Sequence, residues 1–165
     1  MKTTITREST SEPLQVLLVG NNPLELAGIY ENLKKYTNRK VIIDCCFDFQ
    51  QSISKALKWN PSCILLDDTF SKKLLKSFIN RINQNDKTAH IPITLLKSNN
   101  YGGIASSGIQ EYVLKEDAST EKLYRSIINA IQFKRTQRIL KVERRRRKRQ
   151  LKKLMNQIRT SIYRR

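Results

Sequence analysis

Two carboxylates end a short, strongly apolar segment near the middle of the chain. Residues 63–68 read CILLDD, four apolar residues followed by Asp67 and Asp68. An unbroken apolar run of this length predicts a β-strand buried on both faces, and Pro61 just before it separates the strand from a preceding helical pattern. Ligands of open α/β sheets bind beyond the carboxyl ends of the strands. We therefore expect Asp67 or Asp68 at the rim of a crevice.

The other reactive side chains do not form a catalytic or metal-binding pattern. Cys45, Cys46 and Cys63 fit reduced, buried small side chains better than disulfides or metal ligands. His90 is the only histidine, so a zinc site of cysteines and histidines is not expected. No base or second nucleophile accompanies Asp67. The sequence therefore predicts a protein that is not an enzyme and that has no metal or other cofactor.

The elements that must position these residues alternate regularly between strands and helices. Helices are expected where apolar residues recur at helical spacing, and Asn22 with Pro23, and later Ser119, supply helix starts. Strands that are apolar throughout and alternate with helices predict a parallel sheet covered on both faces. The expected fold is a doubly wound, flavodoxin-like sheet of order 2-1-3-4-5. Its five predicted strands are residues 14–19, 40–46, 63–68, 90–96 and 111–115.

The positive charge is concentrated at the end of the chain. The net charge is +18, and residues 134–165 hold 15 Lys or Arg against the single acid Glu143, which leaves +4 on the other 133 residues. We expect a polar leader at residues 1–13, a compact domain at 14–133 and a basic tail at 134–165. No segment has the ~18 consecutive apolar residues of a membrane span or the apolar centre of a signal peptide, so a cytoplasmic location is expected.

The basic tail is predicted to continue the last helix, because residues 119–163 contain neither Pro nor Gly. A wholly polar block carries its strongest charge, at Arg144, Arg145, Arg146, Arg147, Lys148 and Arg149. An apolar stripe follows at helical spacing, formed by Leu151, Leu154, Met155, Ile158 and Ile162. Such a basic amphipathic helix suits a partner protein with an acidic groove, a nucleic acid or an anionic membrane. A solvated charge run is the fourth interpretation.

Over residues 14–133 the chain resembles the receiver domain of bacterial two-component response regulators. The segments that carry the resemblance are VLLVGNNP, NPSCILLDD, IPITLLKS and EYVLKED. Aligned on them, Asp67 falls at the phospho-accepting aspartate, Lys115 at the family's invariant lysine and Tyr112 at its aromatic switch position. The resemblance implies phosphorelay signalling, with a histidine kinase or another phosphorelay component as partner.

Several positions depart from the family's pattern. The family ends its first strand with two acids that help to hold Mg²⁺, whereas this chain has Gly20 and Asn21. Mg²⁺ prefers carboxylate and water oxygens, so any binding at Asp67 is expected to be weak. Asp68 is expected to alternate to the other side of the strand. Lys97 replaces the family's Ser or Thr after the fourth strand, and the short span from there to the fifth strand predicts a fourth helix cut to a turn.

These departures lead to a hypothesis about the site. Lys97 and Lys115 are expected to approach Asp67 together, to supply the positive charge of the missing ion and to hold the site closed by ion pairs. The predicted protein is a pseudo-receiver with weak or absent Mg²⁺-dependent phosphorylation at Asp67, which acts as a docking module through its basic C-terminal helix. The alternative is a nucleic-acid-binding accessory protein that uses the same tail.

Overall fold

Five apolar segments form the strands of a parallel sheet in the computed structural model, which describes residues 12–99 and 108–162. The sheet order is β2-β1-β3-β4-β5 with every pairing parallel, so the predicted 2-1-3-4-5 fold is confirmed. The strands are β1 (Leu14–Val19), β2 (Val41–Cys46), β3 (Cys63–Asp67), β4 (Ile93–Lys97) and β5 (Glu111–Leu114). The helices are α1 (Pro23–Lys34), α2 (Phe49–Trp59), α3 (Lys72–Gln84) and α4 (Thr120–Ile162).

Local capping fixes where the helices begin. The Asn22 side chain accepts a hydrogen bond from the Leu24 N–H at 3.1 Å, with Pro23 at the first helical position. The Ser119 hydroxyl accepts one from the Lys122 N–H at 3.3 Å. Both predicted helix starts are confirmed, and each cap satisfies a backbone donor that would otherwise lack a partner.

The two faces of the sheet are buried against different helix pairs. Alternate residues of β1 point to opposite faces: Leu17 packs in the cluster that contains Phe78 of α3, and Leu18 in the cluster that contains Leu33 of α1 and Ile127 of α4. Each large apolar side chain buried in this way contributes roughly 1.5–3 kcal/mol. The central strands are therefore held firmly from both sides, which fixes the positions of their ends.

The fourth strand begins later than the apolar pattern suggested. It was predicted from residue 90, whereas β4 begins at Ile93 and ends at Lys97. Pro92 has no N–H to donate to a neighbouring strand. His90 lies outside the strand, with its Nε2 atom 2.7 Å from Asn60 Oδ1.

Helix α4 runs for 43 residues and continues past the body of the domain. Its first turns bury Leu123, Ile127, Ala130 and finally Lys134, and all of its described residues after Lys134 are exposed. The predicted C-terminal helical extension is therefore present, and its 28 exposed residues span about 42 Å at roughly 1.5 Å per residue. Among the described residues, no helix is both long and apolar enough to cross a membrane.

Two predictions concern residues outside the described ranges. The proposed shortening of the fourth receiver helix falls largely on residues 100–107, and the polar leader falls largely on residues 1–11. The division into a domain at 14–133 and a tail at 134–165 stays a prediction, and α4 continues across that boundary without a break.

Candidate functional site

Strand β3 brings Asp67 to the carboxyl edge of the sheet and buries it completely. The side chain is 0% exposed, between the ends of β1 and β4. Its Oδ1 atom accepts a hydrogen bond from the Thr69 N–H at 3.1 Å and lies 2.6 Å from Lys115 Nζ. Its Oδ2 atom is buried and has no hydrogen-bond partner among the described residues. A buried carboxylate with one bare oxygen is costly, so the Lys115 ammonium is central to the stability of this arrangement.

Lys115 follows the end of β5 and lies among three carboxylates. Its Nζ atom is 2.6 Å from Asp67 Oδ1, 2.6 Å from Glu25 Oε2 and 3.6 Å from Asp68 Oδ1. Burial lowers the pKa of the Lys115 ammonium, but its hydrogen bonds to Asp67 and Glu25 raise it by more, so the pKa lies above its usual value. The lysine therefore stays charged over the physiological range and occupies the centre of the acidic cluster.

Glu25 is a site residue that the sequence reasoning missed. It lies in the first turn of α1, where a negative charge also complements the helix dipole. The Asn22 side-chain amide donates a hydrogen bond to Glu25 Oε1 at 3.1 Å, while Oε2 receives the Lys115 ammonium. The available signal was an acid two residues after Pro23, because a helix that follows β1 begins at the same edge as Asp67.

Asp68 does not turn away from the site, so the expectation of strict alternation was wrong. Strand β3 ends at Asp67, and the chain enters a turn at Asp68. The Asp68 carboxylate accepts hydrogen bonds from the Ser98 N–H at 2.9 Å and from the Ser98 hydroxyl at 2.6 Å. Asp68 thus ties the end of β3 to the end of β4 and adds negative charge beside Lys115.

Lys97 does not join Lys115 in pairing with Asp67, and that part of the closed-site hypothesis was wrong. Among the described residues, Lys115 is the one ion-pair partner of Asp67 within 4.0 Å. The Lys97 ammonium lies 5.9 Å from the centroid of the Tyr112 ring, which is 40% exposed. The predicted switch aromatic and Lys97 therefore contact each other at the rim, outside the ion-pair cluster.

Gly20 and Asn21 place the end of β1 directly against Asp67. A Cβ atom on Gly20 would lie 2.8 Å from Asp67 Cβ and 2.9 Å from Leu26 Cδ2, closer than side chains tolerate. The Asn21 side-chain oxygen accepts a hydrogen bond from the Thr69 hydroxyl. Position 20 therefore has no room for an acid in this arrangement, and the oxygen at position 21 is already engaged.

The residues at this edge do not fit the Mg²⁺ ion that the resemblance implies. Mg²⁺ requires near-octahedral oxygen ligands, whereas Asp67, Glu25 and Asp68 all face the Lys115 ammonium. Within residues 12–99 and 108–162, no group of three His, Cys, Asp or Glu side chains is arranged to hold a metal ion. A cavity of about 240 Å³ adjoins the cluster and is lined by Asn32, Asp67 and Lys115 among others.

The predicted tail residues lie apart from this edge. All six members of the basic block are exposed in the extension of α4, and none of them forms an ion pair in the described part of the chain. They are Arg144, Arg145, Arg146, Arg147, Lys148 and Arg149. The structure therefore brings together Asp67 and Lys115, places Lys97 and Tyr112 at their rim, and leaves the basic block on a separate surface.

The sheet order and the helices on both of its faces are those of the receiver-like, flavodoxin-like fold. Solved structures with this fold include a sensor protein from Polaromonas sp. JS666, at 15% identity and TM-score 0.63, covering 73% of this chain and 98% of that one. The signal receiver domain of an HD domain-containing protein from Pseudomonas fluorescens Pf-5 has 14% identity and TM-score 0.62, with coverage of 76% and 99%.

A third similar structure contains a metal. It is the receiver domain of a sensor histidine kinase from Pseudomonas aeruginosa PAO1, with a magnesium ion coordinated in its active-site cleft, at 20% identity and TM-score 0.61, covering 73% of this chain and 98% of that one. At these identities the likeness establishes the fold. No protein-family model matches the chain, and no curated protein matches it in sequence.

Proposed function

We propose that the protein is a receiver-like module of phosphorelay signalling whose phosphoacceptor position, Asp67, is closed by the Lys115 ion pair. The closed site takes up phosphate from Mg²⁺-dependent donors weakly or not at all. The observation that carries this proposal is the Lys115 ammonium 2.6 Å from Asp67 Oδ1, with a second carboxylate at the same distance. The proposal includes a cytoplasmic location, and the resemblance implies a histidine kinase or another phosphorelay component as partner.

The chemistry of phosphoryl transfer supports this proposal. A carboxylate that accepts a phosphoryl group must reach the phosphorus atom, and a divalent cation normally offsets the charge of the transferring group. Asp67 is 0% exposed, and its bare Oδ2 atom lies against Gly20. Its other oxygen is neutralised by an internal ammonium. Phosphorylation would therefore require both the ion pair and the packing at Gly20 to open.

A direct test measures phosphate on Asp67. The purified protein is incubated with acetyl phosphate and Mg²⁺, and its intact mass is followed, with Asp67→Asn as the control that assigns any signal to this residue. We expect no phosphorylated species above the level of the Asp67→Asn control. Rapid, Mg²⁺-dependent phosphorylation that disappears in Asp67→Asn would show that the site is open and the proposal wrong.

The second part of the proposal is that the extension of α4 docks a partner protein through its apolar stripe. The stripe residues are 55–70% exposed, with Met155 at 70% and Leu154 at 55%. A second copy is a poor occupant, because residues 134–162 hold thirteen Lys or Arg and one Glu, a net charge of +12 on each helix. Two such helices repel each other. A partner with an acidic groove complements both the stripe and its basic flanks.

The docking test compares substitutions on opposite faces of α4. Leu154→Gln with Ile158→Gln removes the centre of the stripe, whereas Asn156→Ala with Thr160→Ala changes polar positions on the other side. We expect in-cell crosslinking to give one protein adduct, with an acidic docking surface, that survives nuclease treatment. The adduct should be lost in the stripe variant and kept in the control. An adduct of equal yield in both variants, or an assembly of two copies of this chain, would contradict docking by the stripe.

A further inference from the structure

A second, larger concavity lies at the opposite edge of the sheet, where α4 leaves the body. Its volume is about 660 Å³, within the usual range of roughly 300–1,000 Å³ for ligand sites. The segments around it precede β2, β3 and β4, and so it faces the amino ends of the strands. Its charged and polar walls include Arg39, His90, Gln132, Arg135 and Arg138, and Glu12 is the one acid among the described residues that line it.

Two arginines of this cavity, Arg39 and Arg138, have no ion-pair partner in the described part of the chain. Arg39 uses Nε to donate to the Glu12 carbonyl oxygen at 2.9 Å, which engages one of its five N–H donors. Burial, and then the charges of Arg138 and Lys134, lower the pKa of His90. Among the described residues, an anion placed here would meet the guanidinium groups of Arg39 and Arg138 and a single acid, Glu12.

The same positive surface continues along α4. At about 100° per residue, six basic residues share one side of the helix within a sector of roughly 100°. We call this side the basic face, and it consists of Arg135, Arg138, Arg145, Arg149, Lys152 and Lys153, all exposed. It extends over about 27 Å at roughly 1.5 Å per residue. Its centre lies on nearly the opposite side of the helix from the apolar stripe.

We propose that the cavity and the basic face together bind the phosphodiester backbone of a nucleic acid, without reading its sequence. Clustered Arg and Lys bind phosphates by releasing counterions. The six consecutive basic residues at 144–149 surround the helix on every side, as suits the major groove of a duplex, which admits an α-helix between two phosphate backbones. No helix-turn-helix accompanies the basic face, which is why sequence-specific contact is not part of the proposal.

The arrangement of the two faces argues against a membrane as the occupant. A helix that lies on a membrane buries its apolar face and directs the opposite side to water. The basic face, with Arg138 and Arg149, would then point away from the lipid headgroups. The proposal does not depend on the closed Asp67 site, which lies at the other edge of the sheet, and it leaves the apolar stripe available to a partner protein.

The test measures how binding of the full chain depends on salt. Fluorescence anisotropy with a labelled 20-base-pair duplex of arbitrary sequence is recorded from 50 to 200 mM salt, and the slope of log K against log[salt] counts phosphate contacts, at about 0.9 per contact for a duplex. We expect Arg39→Gln with Arg138→Gln to reduce the slope by about 2 and to weaken binding at low salt. Arg145→Gln with Arg149→Gln should do the same.

The matched control removes the same charge elsewhere. Lys72→Gln with Lys73→Gln changes two exposed lysines at the start of α3, which follows the carboxyl end of β3. We expect this variant to keep the slope of the wild type, and circular dichroism should show that all variants remain folded. The proposal is wrong if the control loses as much slope as the cavity variant, or if the cavity variant keeps the wild-type slope. It is also wrong if phosphatidylserine vesicles or a polyglutamate peptide bind more tightly than the duplex.

Discussion

The two edges of the sheet differ in how their charged side chains are paired. At the carboxyl edge, three carboxylates surround one ammonium, with Lys115 Nζ 2.6 Å from both Asp67 and Glu25 and 3.6 Å from Asp68. At the amino edge, Arg39 and Arg138 line a cavity of about 660 Å³ without an ion-pair partner in the described residues. At the first edge the ammonium is paired with carboxylates of the same domain, whereas at the second edge Arg39 and Arg138 have no ion pair in the described residues.

Lys115 and Lys134 show that the charge of the neighbouring groups, rather than burial, distinguishes the two edges of the sheet. Burial lowers the pKa of both Lys115 and Lys134. At Lys115, carboxylates more than reverse that effect. At Lys134 the ammonium donates to the neutral Asn83 Oδ1 at 2.7 Å, and burial followed by the charge of Lys141 lowers the pKa to about 8.

The largest effect is expected from Lys115→Met. The change leaves the fully buried Asp67 carboxylate without its counterion, and the loss of one partner from a buried pair costs about 3 kcal/mol or more. Urea unfolding at pH 7 measures the change in the free energy of unfolding.

Lys122→Met is the matched control. It breaks the Lys122–Asp117 pair, which has a similar distance of 2.8 Å but side chains that are 49% and 53% exposed. Exposed pairs contribute about 0–1 kcal/mol. Equal losses of stability in the two variants would show that the Lys115 cluster is no more than a surface ion pair, and the contrast between the edges would fail.

The pH dependence of stability should have opposite signs for the two lysines. In an unfolded chain a lysine titrates near pH 10.4. Between about pH 8 and 10.4 the unfolded chain binds more protons at Lys134 than the folded chain, so this residue makes stability rise with pH, by on the order of 3 kcal/mol. Lys115, with a raised pKa, stabilises the fold below about pH 10.4 and loses that contribution as the pH rises through its folded pKa.

Free energies of unfolding measured from pH 7 to 11 test the opposite pH dependences expected for Lys134 and Lys115. Lys134→Met should flatten the rise above pH 8, and Lys115→Met should remove part of the fall above pH 10.4. A Lys134→Met curve parallel to the wild type throughout this range would mean that burial and the charge of Lys141 do not depress the Lys134 pKa.

Substitutions at Gly20 and Gly28 distinguish a glycine required by close packing from one that only adds backbone flexibility. Gly20→Ala should destabilise by about 1–3 kcal/mol, because its Cβ would lie 2.8 Å from Asp67 Cβ and overpack the closed edge. Gly28 lies inside α1, and a Cβ there meets nothing within 4 Å. Gly28→Ala should therefore stabilise by about 0.5–1 kcal/mol. Thermal unfolding of both variants tests the pair, and an unchanged Gly20→Ala protein would show that the carboxyl edge has room to open.

Sequence patterns were sufficient for the fold because each of its signals is local. Unbroken apolar runs indicate strands that are covered on both faces. Asn22 and Ser119 cap the helices that follow them, and this capping depends only on the neighbouring residues. The main error in the strands was at β4, where Pro92 delays pairing until Ile93. The absence of Pro and Gly predicted the long α4, but not that Lys134, the first residue of the predicted tail, is 7% exposed.

The site was less predictable because it depends on tertiary geometry. Alignment predicted that Lys115 would approach Asp67, and the two side chains are 2.6 Å apart because both lie at strand ends on the same edge. Asp68 was misplaced because alternation applies only inside a strand, and β3 ends one residue earlier. Glu25 was missed because an acid in a first helical turn looks like an ordinary dipole-compensating residue. The direction of Lys97 was set by a neighbour on β5, which no local pattern reveals.

The smallest effect is expected from Lys97→Met. This variant shows whether Lys97, like Lys115, contributes to the closed site that the sequence predicted. The Lys97 ammonium lies 5.9 Å from the Tyr112 ring centroid at a partly exposed rim, and such a cation–π contact contributes about 0.5–1 kcal/mol. Met keeps most of the apolar contact, so the change in the free energy of unfolding should not exceed that range. A loss as large as that of Lys115→Met would mean that Lys97 also holds the buried Asp67 carboxylate, and that closure of the carboxyl edge requires two ammonium groups.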